Sequence, residues 1–302
     1  MAYDLDMAKV GLLLLGGGAN DSQVFTDSSM TNKAVTTYGQ TKYSTVIQKF
    51  SESTILFDGS GDYLVIDNSA DFDFGTGDFT LEWHEYQTGV TGTVRGRFHL
   101  ATQILGGTGG NVYGLAVFTD SGGWKVTRNN ATVSLGGSAV LSQWRHIALV
   151  RLGNVIKLFI NGVQLGTDIA QTAAVPGTTN KILTLGCHYV GDYSFSGNMT
   201  GFKVTKGLAR YTTTFTPPVD KFATNPPRLI GTVKDDTGTL CARTVRAYRR
   251  SNGVLVGSVA SDAVTGGYTI NTTTDDAHTI IALDDDAGTQ YNALVLDKVI
   301  PA

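Results

Sequence analysis

Charged residues are scarce in this 302-residue sequence, at 16% of the chain, and 23 Lys and Arg stand against 26 Asp and Glu. A net charge of −3 argues against a nucleic-acid partner, because phosphate-binding surfaces need clustered Lys and Arg. Cysteine is rarer still. Cys187 and Cys241 are predicted to lie in different domains, so we expect no disulfide between them. Two such cysteines also indicate that the chain is made in a reducing cytoplasm.

Long apolar runs are also missing. The run near the start covers only residues 10–15, and Asp4 and Asp6 precede it in place of a basic region. We therefore expect neither a signal peptide nor membrane insertion, and we interpret the run as a first buried strand.

Catalytic and metal-binding motifs are the third absence. The five histidines show no H-x3-H or HExxH spacing, no serine lies in a G-x-S-x-G turn, and the glycine clusters lead into no Lys-Ser or Lys-Thr. These patterns would mark zinc, hydrolase and phosphate sites. We assign no catalytic residue, and we expect no cofactor beyond a possible calcium ion.

Short apolar runs separated by turn residues fill the sequence instead, with 37 glycines. Helical periodicity is rare, so the sequence predicts an all-β chain. The clearest stretch is "WRHIALVRLGNVIKLFINGVQLGT", which predicts strands at 144–152, 155–160 and 163–167, the last two joined at Asn161-Gly162. Seven further strands are predicted at 10–15, 54–58, 79–87, 98–104, 112–118, 181–187 and 195–205. Antiparallel strands in this number predict a two-sheet jelly-roll sandwich.

Proline clusters at one place, "TPPVDKFATNPPRL", which holds four of the six prolines. Because proline stiffens connectors and cannot donate to a sheet, we place a domain boundary near Asn225. Residues 1–225 form the large domain. Residues 226–302 contain six or seven short strand-like runs and predict a small β-sandwich.

Six aspartates occur in "FDGSGDYLVIDNSADFDFGTGDF". The stretch does not satisfy the calcium-loop template. Neighbouring Gly, Ser and Asn residues favour turns, in which an Asp side chain accepts from the backbone. The alternative is a calcium site in which Asp58 or Asp62 meets a distant loop at Asp192.

Glu82 and Glu85 flank Trp83-His84 in a predicted strand. A glycosidase needs two carboxylates that converge on one bond, whereas residues three apart in a strand point to opposite faces. We expect one acid at a strand edge and the other in solvent.

Exposed aromatic rings offer a different signal, since the apolar face of a pyranose matches a flat ring. Trp124, Tyr189 and Tyr193 lie in turn-rich stretches and are candidate glycan-binding residues, with core or rim packing as the alternative. In "ARTVRAYRR" the side chains of Arg246, Tyr248 and Arg250 are predicted to face outwards, either as a solvated face or as a partner-docking patch.

Several stretches resemble the concanavalin A-like, laminin-G-type jelly rolls of bacteriophage structural proteins. They are "KFSESTILFDGSGDYL", "SADFDFGTGDFTLEW", "WRHIALVRLGNVIKLFINGVQLGT" and "FSGNMTGFKVTKGLARYTTTFTPP", the last of which looks like the closing strand of that family. The small domain is similar to a carboxypeptidase-regulatory, transthyretin-like sandwich that often follows such jelly rolls.

Two departures from the family bear on function. Gly197 is followed by Asn198 and Met199 where relatives usually have Ile-Asp, and "LEWHEY" lacks the Glu-x-Asp-x-Glu pattern of laminarinases. The resemblance therefore implies a non-enzymatic virion surface protein, in a tail fibre, tail tip or head decoration, made in the host cytoplasm. Its implied partners are other virion proteins, a host surface glycan and further copies of itself, with a trimer guessed from fibre symmetry. A structural subunit without glycan binding and a glycan hydrolase are the alternatives.

Overall fold

Two compact units make up the chain in the computed structural model: Lys9–Phe222, the large unit, and Ala223–Ala302 with Met1–Ala8, the small unit. The structure describes residues 4, 6–89, 94–101, 113–175, 182–188, 193–224, 228–235, 237–272, 276–283 and 294–301. Cys187 and Cys241 lie in different units and are not joined by a disulfide. Among the described residues, no helix has the length and apolarity needed to cross a bilayer.

Antiparallel strands dominate the large unit. The helical structure among the described residues of the whole chain amounts to two 3-10 turns, Met7–Lys9, which spans the division at Lys9, and Ala70–Phe72 in the large unit. Its strands are β1 Val10–Leu14, β2 Val35–Tyr38, β3 Lys42–Lys49, β4 Glu52–Asp58, β5 Tyr63–Ile66, β6 Phe79–Gln87, β7 Arg95–Ala101, β8 Tyr113–Asp120, β9 Gly123–Arg128, β10 Ala131–Gly136, β11 Trp144–Leu152, β12 Val155–Ile160, β13 Val163–Ala170, β14 Ile182–Leu185 and β15 Ser196–Lys206.

Two sheets form the sandwich. The first sheet has the order β13-β12-β11-β6-β15-β4-β3 with β1 also paired to β15, and the second has the order β10-β9-β8-β7-β14-β5-β2. Their inner faces share one apolar core, in which Trp83 of the first sheet meets Phe98 of the second with ring centroids 5.8 Å apart. The prediction of an all-β, two-sheet antiparallel sandwich is confirmed.

All ten strands predicted for this unit are present, and the Asn161-Gly162 hairpin is confirmed with positive φ at both residues (49° and 80°). A Cβ on residue 162 would lie 1.8 Å from the Phe215 carbonyl oxygen, so the close approach of the Phe215 backbone also requires glycine at this position. Five strands were not predicted, namely β2, β3, β5, β9 and β10. They are short or carry mixed polar residues, which obscures the period-2 pattern.

One correction concerns the end of the large unit. The resemblance implied a closing strand that includes "TKGLARYTTTFTPP", but β15 ends at Lys206. Residues 207–222, called here the covering segment, lie on the outer face of the first sheet. Tyr211 and Phe215 stack on each other at 3.7 Å and pack against a patch formed by Ala148, Val150 and Phe159. The covering segment therefore gives this face a second, smaller apolar core.

The small unit contains two antiparallel sheets. Its strands are β16 Arg228–Thr232, β17 Thr244–Arg249, β18 Leu255–Ala260, β19 Gly267–Asn271, β20 His278–Ala282 and β21 Leu294–Val299. One sheet pairs β16 with β19 and the other has the order β18-β17-β20-β21. Leu229 and Ile270 of the first share a core with Val245, Ala247 and Ile280 of the second. The six or seven short strands predicted for this part of the chain correspond to these six strands of the described residues.

Candidate functional site

The connections of the large unit collect at its two ends, because each strand runs antiparallel to its sheet neighbours. Strand pairing places Asp58 opposite Ser196, Gln87 opposite Gly197, and Asp120 opposite Gly123. One end of the sandwich, called here the loop end, thus receives the described connecting residues 39–41, 59–62, 88–89, 94, 121–122, 137–143, 161–162, 186–188 and 193–195. The described candidate residues of the large unit, Asp58, Asp62, Trp124 and Tyr193, belong to this end.

The Asp58 and Asp62 side chains fix the first of these loops. Asp58 Oδ1 accepts from the Ser60 N–H at 2.7 Å, as in an Asx turn. Asp62 is fully buried, and its two oxygens accept from the Asp58 N–H at 2.8 Å and the Gln40 N–H at 2.5 Å. Burial raises the pKa of Asp62, and the two backbone hydrogen bonds oppose that rise. Both side chains are turn-formers, as the sequence favoured.

The calcium interpretation gains no support from this geometry. Both oxygens of Asp62 are already used by the backbone, and the third proposed ligand, Asp192, lies outside the described residues. Within the described part of the chain, no group of three or more His, Cys, Asp or Glu side chains could hold a metal ion.

Arg95 ties two loops of this end together. Its Nη1 donates to the Ser194 carbonyl at 2.6 Å and the Gly59 carbonyl at 3.2 Å. The Gly96 N–H also donates to the Tyr193 carbonyl at 2.9 Å. The 59–62 loop and the residues before β15 are therefore held against the start of β7.

Tyr193 presents its ring at the surface of this end, with 44% of the residue exposed. Its φ is 54°, a left-handed conformation that is unusual for a bulky residue and that the surrounding contacts must hold in place. The ring meets buried His188 edge-on at 6.3 Å, and His188 in turn contacts Phe118 at 4.0 Å. Tyr189, the neighbouring glycan candidate, lies outside the described residues.

Trp124 is a correction to the sequence interpretation. Its relative exposure is 0%, so its ring cannot stack on a sugar that arrives from solvent. The alternation of β9 turns Trp124 and Val126 inwards, and both belong to the core between the sheets. The indole lies under two guanidinium groups, 4.5 Å from Arg97 and 5.2 Å from Arg145.

A buried ion cluster lies inside the sandwich next to Trp124. Glu85 receives Arg97 in a bidentate pair, with both distances 3.1 Å, and Arg145 donates to the same carboxylate at 3.1 Å. Trp83 Nε1 adds a fourth donor at 3.0 Å. Burial opposes the charge, but Arg97 and Arg145 outweigh it and lower the pKa of Glu85.

Glu82 lies on the opposite face of the same strand, beneath the covering segment. Tyr211 donates to Glu82 at 2.7 Å, His146 Nε2 lies 3.1 Å away, and Lys203 Nζ lies 3.0 Å from the other oxygen. Burial alone would raise the pKa of Glu82, but Lys203, His146 and Tyr211 bring it to about 2. The carboxylate therefore anchors the covering segment.

The expectation of one edge acid and one solvated acid is wrong. Glu82 and Glu85 are both 0% exposed, because β6 is a central strand between β11 and β15. Their opposite orientation is as predicted, since their partners lie on opposite faces. The sequence signal that was missed is the presence of charged residues inside apolar strands, such as Arg97 in "RGRFHLA" and Arg145 in "WRHIALVRL". Inward-facing charges at such positions require partners.

The proposed docking row of the small unit has the predicted orientation. Val245 and Ala247 are fully buried, whereas Arg246 and Tyr248 are half-buried and Arg250 is exposed. Apolar neighbours extend this face. Leu255, which is 50% exposed, pairs with Tyr248. Val295, which is 54% exposed, pairs with Ile281, and Ile281 in turn pairs with Arg246.

A model described as the concanavalin A-like lectin/glucanases superfamily matches residues 58–210, just over half of the chain. No curated protein matches the chain.

Solved structures give distant matches. The sialidase of Trypanosoma rangeli is 16% identical with a TM-score of 0.47, and the match covers 67% of this chain and 31% of the sialidase. The binding domain of Paraclostridial Mosquitocidal Protein 1 is 11% identical with a TM-score of 0.48, covering 97% and 76%. Domain 4 of AbnA, a GH43 extracellular arabinanase from Geobacillus stearothermophilus solved with arabinotriose, is 15% identical with a TM-score of 0.43, covering 66% and 95%. This chain spans about a third of the length of the sialidases, and at these identities the matches carry no argument about its activity.

Proposed function

Because this chain belongs to the concanavalin A-like lectin/glucanases superfamily, we propose that its large unit binds carbohydrate through the loop end, without catalysis. The observation that carries the proposal is Tyr193. An exposed aromatic ring in a left-handed backbone conformation, braced by His188, is a rigid flat surface for a pyranose ring.

The absence of catalysis is proposed from the two glutamates. A glycosidase needs a general acid with a raised pKa and a second carboxylate facing the same bond. Glu82 and Glu85 are buried on opposite faces of β6, and the pKa of each is lowered. A hydrolase that used them would release reducing ends from polysaccharide, and Glu82→Gln or Glu85→Gln would abolish that release.

The setting we propose is the surface of a virus particle, in a tail fibre, tail tip or head decoration. The support is the likeness of four long stretches to bacteriophage jelly rolls. Shallow contacts by single copies are weak, and several copies held together on a particle would raise the overall affinity without any new contact. A homo-oligomer follows from this proposal, with a trimer as the working expectation.

Tyr193→Ala is the test of the glycan site. We expect binding to fall about tenfold for the sugar that the unchanged chain prefers, which corresponds to about 1.4 kcal/mol of ring contact. The full-length chain is immobilised at high density and screened on a glycan array, and the preferred sugar is then titrated against both proteins. Tyr248→Ala removes the same ring from the small unit and is expected to leave binding unchanged. Equal binding by the Tyr193→Ala protein would contradict the assignment, and an array without any signal would leave the structural-subunit alternative.

We further propose that the row of Arg246, Tyr248 and Arg250 docks an acidic face of another subunit of the same particle. The arginines lie among exposed apolar side chains, a combination that suits a protein interface better than a solvated sheet face. We expect Arg246→Glu with Arg250→Glu to lower the amount of this chain in purified particles at least fivefold, as measured by quantitative blotting. Arg128→Glu, a single charge reversal in the large unit, is expected to leave incorporation unchanged. Normal incorporation of the double variant would exclude this surface.

A further inference from the structure

The buried ion cluster of the large unit contains more positive than negative charge. Arg97 is fully satisfied, because its five N–H groups are matched by five hydrogen bonds. They reach Glu85 Oε2 and Oε1 at 3.1 Å, Gln87 Oε1 at 2.7 Å, Thr119 Oγ1 at 2.6 Å and the Arg95 carbonyl at 2.9 Å. Glu85 is thus occupied by a complete bidentate pair before Arg145 is considered.

Arg145 is held much less completely. Among the described residues, its guanidinium has one acceptor, Glu85 Oε1, which it shares with Arg97. Its Nε is buried and has no hydrogen-bond partner there, although the side chain is only 5% exposed. An arginine with unmet donors in a buried position is expensive, since each desolvated N–H loses its hydrogen bonds to water.

The charges of the cluster also show that Arg145 lacks a partner of its own among the described residues. Arg97 and Arg145 carry two positive charges against the single negative charge of Glu85, with exposures of 0%, 5% and 0%. Glu82, the next acid along the strand, faces the other side of the sheet and pairs with Lys203 there. Arginine stays protonated in proteins, so the excess charge is not removed by losing a proton.

Arg145 also lies close to the loop end of the sandwich. Arg145 is the second residue of β11, separated by Trp144 from the 137–143 connection of the loop end. Trp124, whose ring lies 5.2 Å from the Arg145 guanidinium, also has a buried Nε1 donor without a partner among the described residues. Two unmet donors therefore lie in one cluster at the end of the sandwich where we place the glycan site.

We propose that Arg145 marks a site for a single carboxylate at the loop end, which the large unit uses to recognise an acidic saccharide. The carboxylate supplies the missing negative charge and accepts from the guanidinium fork, the geometry in which arginine binds such groups best. The saccharide assignment rests on the proposed glycan-binding function, whereas the carboxylate site itself does not.

The test measures anion binding to the full-length chain. All three tryptophans, Trp83, Trp124 and Trp144, lie in the large unit, so Trp fluorescence reports on this unit alone. Sodium acetate, and separately an oligoglucuronate, is titrated at constant ionic strength set with sodium chloride. We expect a saturable change in fluorescence and a rise in the urea midpoint with both ligands. Arg145→Gln is expected to abolish both effects, and Arg145→Lys, which keeps the charge but loses the fork, is expected to weaken them at least tenfold.

The outcomes separate the two proposals. An equal response in the Arg145→Gln chain, or no response to either carboxylate in the unchanged chain, overturns the site. A response to acetate without one to oligoglucuronate supports a carboxylate site and overturns its role in sugar recognition. The Arg128→Gln chain, with a substitution at the other end of β9, must respond as the unchanged chain does. Tyr193→Ala tests glycan binding independently, because it is expected to leave the acetate response intact.

Discussion

Glu85→Gln is expected to lower the free energy of unfolding of the large unit by about 3–5 kcal/mol, the range seen when one partner of a buried ion pair is removed. The substitution preserves size and shape. It removes the only negative charge that faces Arg97 and Arg145 in the described interior, so two buried guanidinium groups are left to repel each other. Burial makes this effect large, since all three side chains are at most 5% exposed.

Urea unfolding of the full chain, followed by Trp fluorescence, measures this prediction. The three tryptophans confine the signal to the large unit. Glu52→Gln is the matched control, because the Glu52–Lys221 pair lies at the surface of the same unit. An exposed pair contributes about 0–1 kcal/mol. A Glu85→Gln cost no larger than that of Glu52→Gln would show that water or another group compensates the arginines.

Much of the fold was predictable because the relevant signals are local. Asn161-Gly162 defines a hairpin by backbone conformation alone, and the alternation in residues 155–160 fixes which side chains face the core. The small unit was predictable for the same reason, since each of its strands is a short apolar run bounded by turn residues. No long-range knowledge was needed for either.

The site was harder to predict, because burial depends on which strands become central. Trp124 looked accessible in a glycine-rich stretch, but its strand places it under two arginines. One of Glu82 and Glu85 was expected at a strand edge and the other in solvent, but β6 pairs on both sides. The covering segment contains no strand pattern, and only its contacts with Glu82 and Phe159 show that it belongs to a core. Such contacts join residues that lie far apart in the sequence, up to 129 positions for Glu82 and Tyr211, beyond the reach of any local pattern.

Acid is expected to destabilise the large unit steeply below pH 6.5, because three of its histidines are buried in the neutral form. Burial lowers the pKa of His84 and His99 to about 3 and that of His188 to about 4. In the unfolded chain each takes up a proton near pH 6.5, whereas in the folded chain each stays neutral until the pH is far lower. Folding stability is therefore fully present above pH 6.5 and is lost as the pH falls towards the folded values.

The expected size of this loss is about 1.4 kcal/mol per pH unit for each histidine, or about 4 kcal/mol per unit for the three together near pH 5. Between pH 7 and pH 5 the large unit should lose roughly 5 kcal/mol, as much as the whole stability of a marginal domain. Glu82 acts in a separate range. Its pKa of about 2 lies below the ordinary value of 4.5, so its contribution is intact above pH 4.5 and disappears below it.

Urea midpoints followed by Trp fluorescence at half-unit pH steps measure the slope. His84→Gln should reduce it by about a third, because glutamine does not titrate and the other two histidines remain. His278→Gln is the control, since burial also lowers the pKa of His278 but that residue lies in the small unit, which contains no tryptophan. A midpoint that stays constant from pH 7 to pH 5.5 would mean that the three imidazoles gain protons without unfolding, and hence that water reaches them in the folded chain. That result would also mean that water reaches the region beside Tyr193, because the His188 ring contacts the Tyr193 ring.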